Sequence, residues 1–160
     1  MNVTHPRAES KGANYVKVVV ELAKSDWHSY TTESLWATLI KKDVFRIENI
    51  PFCAYGVSYQ DLVTVRSLSD MLLFKEVYQR CGHSTYRIFL SENCSWDEFE
   101  MAWKPLAALG CSYEQATKRL MSVDIPPTAN IYQAYALLEK GEHNQMWDFE
   151  EAHCGHPFKR

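Results

Sequence analysis

The chain has 160 residues and a formal net charge of −3, enough length to bury a core as one domain or two small ones. Its acidic balance argues against nucleic acid, which asks for a basic patch. No apolar run is long enough to span a bilayer, and residues 1–12 are polar with no signal-peptide core.

Five cysteines, Cys53, Cys81, Cys94, Cys111 and Cys154, are scattered without a CxxC pair. Reduced thiols in a cytoplasmic protein are expected. In chain order, residues 1–14 carry Pro6 and Gly12 and read as a flexible leader. Residues 15–22 (YVKVVVEL) are β-branched and read as a strand, followed by a loop over 24–32. Residues 34–40 place Leu35, Ala37 and Leu39 on one side, with Trp36 opposite, and residues 44–47 resume the pattern, giving a hairpin. Pro51 then holds Ile50 extended. An aromatic loop over 52–59 follows, with Gly56 free to take positive φ. Residues 61–66 alternate as a strand. Residues 71–78 read as another strand or a short helix. Five strands in succession over 15–81 predict a small antiparallel β-barrel or rolled sheet.

From Gly82 the pattern changes. Residues 86–90 (YRIFL) read as a strand. Ser95 and Glu98 form a capping box, and Trp96, Phe99, Trp103 and Leu106 make one apolar helix face. Gly110 ends that helix, and Pro105 should kink it. Two short strands, over 111–115 and 119–123, lead to a Pro126-Pro127 turn. A second helix follows, with Ile131, Tyr135 and Leu138 on one face and Gly141 as its stop. A strand over 146–150 closes the series. Strand–helix–strand–strand–helix–strand over 82–152 predicts a ferredoxin-like subdomain, with 153–160 as a tail. The fold class is therefore α+β.

Several phrases resemble a bacterial family known as domain of unknown function 4265. They are ESLWA (33–37), NIPFCAYGVSYQD (49–61), GHSTYRI (82–88), LAALGCSYE (106–114), MSVDIPP (121–127) and WDFEEAHCGHP (147–157). The resemblance implies a compact bacterial cytosolic protein and brings no catalytic residues. Pro105 and the extra cysteines depart from the family pattern.

Cys81, His83, His153, Cys154 and His156 have zinc-ligand chemistry, but their spacing matches no finger or ribbon. No metal and no cofactor are expected. His83-Ser84-Thr85 sets a base beside two hydroxyls, yet sequence neighbours do not make a dyad, and no nucleophile elbow or phosphate-binding glycine loop occurs. Asp61 and Asp124 read as loop caps. The C-terminal half is rich in acids: Glu92, Asp97, Glu98, Glu100, Glu142, Asp148, Glu150 and Glu151. A solvated face is the ordinary reading of such charge. The functional reading is an acidic surface for a basic protein partner.

The expectation is a non-enzymatic binding protein, most concretely an immunity protein that occludes a basic toxin domain, with no catalytic residue and no membrane or nucleic-acid partner. The candidate binding residues are Tyr55, Tyr59, Asp61, His83, Arg87, Asp148, Glu150, Glu151 and His156. The alternative is a small-molecule regulator or enzyme with a site in the cleft between the subdomains, lined by Tyr55, Tyr59, Asp61, His83, Arg87 and His156. RNA binding through a ferredoxin-like sheet is a third expectation, without an aromatic RNA-binding motif to carry it.

Overall fold

The computed structural model describes residues 1–6 and 14–157. The chain divides into two units, Met1–Cys81 and Gly82–Arg160. Among the described residues the fold is mixed α+β, with a six-stranded sheet, a four-stranded sheet and two helices.

The first unit holds β1 (Asn2–Thr4), β2 (Tyr15–Glu21), β3 (Thr32–Lys41), β4 (Val44–Ile47), β5 (Leu62–Leu68) and β6 (Met71–Gln79). Asp43 and Ser69 take positive φ, 58° and 52°, at the two tight turns β3–β4 and β5–β6. The sheet order is β1-β3-β2-β6-β5-β4, and β4 also pairs with β3. Strands β2 to β6 therefore form a closed ring of pairings. Val18, Val20, Leu35, Ala37, Phe45, Ile47, Val63 and Val65 fill it from alternate positions.

The expected all-antiparallel sheet is corrected at two pairings. β2 runs parallel to β6, and β1 runs parallel to β3. The first follows from parity. Five strands laid up and down in sequence form an odd number, so closing them must join two strands of the same direction. That pairing is short, Val18 with Leu72 and Val19 with Leu73. The leader expected over residues 1–14 also contains β1, whose Val3 pairs with Glu33; residues 7–13 lie outside the described residues. Leu39 shares the side of Leu35 and Ala37 but is 61% exposed, at a bulge near the end of β3.

The second unit runs β7 (Ser84–Leu90), α1 (Trp96–Ala108), β8 (Ser112–Gln115), β9 (Leu120–Ile125), α2 (Ile131–His143), β10 (Trp147–His153). Its sheet order is β10-β7-β9-β8, antiparallel throughout. Phe99, Trp103 and Leu106 of α1 and Ile131, Ala134 and Leu138 of α2 pack on Tyr86, Ile88, Met121, Val123 and Trp147. The capping box starts α1: Ser95 Oγ accepts from the Glu98 amide, and the Glu98 carboxylate accepts from the Ser95 amide. Gly110 ends it with φ 94°. Pro105 lies within α1, which continues to Ala108.

Gly141 does not stop α2. It is buried inside the helix, and the chain leaves the helix at Asn144. A Cβ on Gly141 would fall inside the indole of Trp147. That indole is itself fixed, because its Nε1–H donates to the Leu138 carbonyl at 3.0 Å. Tyr135, expected on the buried face, is 41% exposed, and Ala134 takes the inward position.

In an open helix Gly→Ala would stabilise by about 1 kcal/mol. Here Gly141→Ala should instead destabilise by about 1–3 kcal/mol through overpacking against Trp147. Urea unfolding monitored by circular dichroism checks the sign, and a gain in stability would refute the packing argument.

Candidate functional site

In the first unit the loop that joins β4 to β5 is held by buried polar side chains. Glu33 lies on the same side of β3 as Leu35 and Ala37, so strand alternation turns its carboxylate inward. Oε1 accepts from the Phe52 amide at 2.6 Å, and Oε2 accepts from the Cys53 and Ala54 amides at 2.9 and 2.8 Å. His5 Nε2 stands 2.7 Å from Oε1. An ionised carboxylate can only accept, so that nitrogen donates. The His5 ring also stacks on Phe52, centroids 3.7 Å apart. Burial alone would raise the Glu33 pKa, but His5 and the amides outweigh it and hold it below its ordinary 4.5.

Two further side chains finish the loop. Asn49 Oδ1 accepts from the Trp36 amide at 2.7 Å. Asp61, fully buried, accepts from the Ser58 and Cys81 amides at 2.9 and 3.0 Å and from Arg80 at 3.1 Å. The loop backbone is thus pinned at both ends, while Tyr55 at its tip is 53% exposed.

The candidate residues named from sequence separate by unit and by exposure. Tyr55, Tyr59 and Asp61 belong to the first unit, and the other six to the second. Asp61 holds the loop. His83 Nδ1 lies 2.7 Å from Asp124 Oδ1. Arg87 is fully buried and donates to Glu150 at 3.0 Å, a pairing that a buried guanidinium needs. Glu151 accepts from the Tyr86 hydroxyl at 2.7 Å. That bond and burial push the Tyr86 pKa upward, burial being the larger cause. Asp148 is exposed.

His156, expected in a tail, is buried. Its Nε2 is 3.0 Å from the Pro126 carbonyl and its Nδ1 is 2.6 Å from Ser84 Oγ. The carbonyl can only accept, so Nε2 donates to it. The same Oγ accepts from the Gly155 and His156 amides. Ser84 has no exposed surface, so this serine–histidine contact ties the C-terminal segment to β7. Among the described residues, no group of three or more His, Cys, Asp or Glu is arranged to hold a metal ion.

Two features were not singled out from sequence. One is Glu33, whose signal was an acid in register with two core positions. The other is the set of exposed aromatic and methionine side chains on α1 and α2, beside acids that were named from sequence. Trp96, Met101, Tyr132 and Tyr135 are exposed there at 37, 64, 50 and 41%. Five carboxylates (Asp97, Glu98, Glu100, Glu139, Glu142) and two lysines (Lys104, Lys140) share those helices. Between them runs a groove of about 160 Å³ lined by Met101, Pro105, Leu137, Met146 and the edge of Trp147. Pro105 carries no N–H, so the Met101 carbonyl one turn earlier loses its helical donor.

The fold and these exposed groups define a two-unit α+β protein with an acidic, aromatic helix layer. The model of the family described as Domain of unknown function (DUF4265) matches residues 33–149, and the chain belongs to that family. The chain is also similar to the crystal structure of a hypothetical protein from Neisseria gonorrhoeae. That likeness has a TM-score of 0.76 and 19% identity, and covers 92% of this chain and all of the other. At that identity it is a likeness of fold. No curated protein matches the chain. Among the described residues no helix is long and apolar enough to cross a membrane.

Glu33→Gln removes the charge that gathers four donors and should cost about 3 kcal/mol. Because the folded pKa of Glu33 lies below 4.5, its contribution is complete above that pH. It is lost as pH falls through the lower folded value. Stability of the native chain should therefore fall on acidification more steeply than that of Glu33→Gln, as read from urea midpoints across a pH series. Parallel curves would refute the role.

Proposed function

We propose that the protein is a non-enzymatic binding protein whose partner is a basic protein surface. The supporting observation is the helix layer of the second unit, where exposed aromatic and methionine side chains stand among excess carboxylates. Aromatic residues and Met are enriched in interfaces, and a few of them carry most of the affinity. Methionine adapts to irregular partners. Carboxylates around such anchors speed encounter with a cationic partner and repel acidic ones.

The most concrete form of this reading is an immunity protein that neutralises a toxin by covering its active site, acting in the bacterial cytoplasm. The closed ring of pairings supports a small barrel for the first unit. The order β10-β7-β9-β8, with a helix after β7 and after β9, supports a ferredoxin-like second unit.

Affinity capture of the tagged protein from its host, followed by mass spectrometry, should recover a basic protein in fixed stoichiometry. Trp96→Ala or Met101→Glu should weaken that complex by about 2 kcal/mol or more. Raising salt should slow its association. A partner whose affinity ignores both substitutions and salt would refute this surface as the interface.

A further inference from the structure

A second site lies in the first unit and is independent of the helix layer. A cavity of about 480 Å³ opens between residues 20–28 and the Cys53–Tyr55 backbone, with Phe74 on its wall. That volume falls within the range of small-molecule sites. One wall is rigid, because the Cys53 and Ala54 amides are bound to Glu33.

Two properties narrow the ligand. The first is aromatic surface, from Trp27, Tyr55 and Phe74, with His28 edge-on to Trp27 at a centroid distance of 4.5 Å. The second is charge. Glu21 and Asp26 are set against a single lysine, Lys24, so the lining is net acidic. The wall that could have cradled an anion offers nothing to one, since those amides are spent on a buried carboxylate. Aromatic faces attract cations, most strongly when the cation is weakly hydrated.

We propose that this cavity binds an organic ammonium ion, an alkylated or quaternary amine, with its head against the Trp27 and Tyr55 rings and its charge balanced by Glu21 and Asp26. A quaternary head spreads its charge over methyl groups, so it loses little hydration on entry and presents apolar surface to the rings.

The test uses the full chain and calorimetric titration with choline and benzyltrimethylammonium. The controls are 3,3-dimethylbutan-1-ol, the uncharged carbon isostere of choline, and benzoate. The cations should bind saturably at one site, with the isostere at least about tenfold weaker, the size of a desolvated cation–π contact. Amide shifts in a ¹⁵N-labelled sample should map to residues 20–28 and 53–55. The double substitution E21Q/D26N changes only exposed side chains; it should weaken the cations and leave the isostere unchanged. Trp27→Ala should weaken the cations as well, with circular dichroism confirming that it folds. The proposal is overturned if neither cation binds at millimolar concentration, if the isostere or benzoate binds as tightly, or if the shifts map elsewhere.

Discussion

One buried carboxylate organises the first unit. Removing Glu33 from water is costly, and the cost is offset only because three consecutive amides and a histidine converge on it. That convergence decides several things together. It sets the path of the chain after Pro51, and it draws in His5, which follows the short strand β1. With its backbone donors directed inward, the loop presents the Tyr55 side chain outward. Asp61 repeats the device at the far end of the loop, joining it to the last residues of the unit through Arg80 and Cys81.

In the second unit the helices are held on the sheet by apolar packing, while the sheet itself buries the Arg87–Glu150 pair. Trp147, at the start of β10, places its indole against α2 where Gly141 has no side chain. The indole N–H is satisfied by a helix carbonyl, so a large aromatic is buried with no orphaned donor. A glycine in mid-helix is unfavourable locally. It is kept here because the indole occupies the space a Cβ would need. The same arrangement puts the edge of Trp147 on the groove between the helices, beside Met101 and Met146. Core packing and the exposed methionine surface therefore share residues.

Local patterns were enough for most elements. Alternation in YVKVVVEL and YRIFL, the Ser95–Glu98 box and the Gly110 terminus each act within a few residues and are readable from them. The family was legible for a different reason: its phrases recur through much of the chain. What escaped depends on partners distant in sequence. Gly141 reads as a stop by any local rule, because Trp147 lies beyond the helix it modifies. β1 is three residues long and polar at both ends, so nothing but its pairing with β3 reveals it. Arg87 and His156 resemble binding groups in sequence, and only the fold shows Glu150, Ser84 and Pro126 at hydrogen-bond distance. Glu33 was detectable in principle, as an acid on a core-facing parity, but parity does not name the amides it serves.

The central claim is that the Glu33 carboxylate holds the loop as a rigid part of the first unit. Native-state hydrogen exchange of the Phe52, Cys53 and Ala54 amides tests it most directly. The account predicts that all three exchange only through global unfolding, with the same denaturant dependence as the amides of β3. Exchange through a local opening, at a rate insensitive to denaturant, would show a loop that moves independently of Glu33 and would contradict the account.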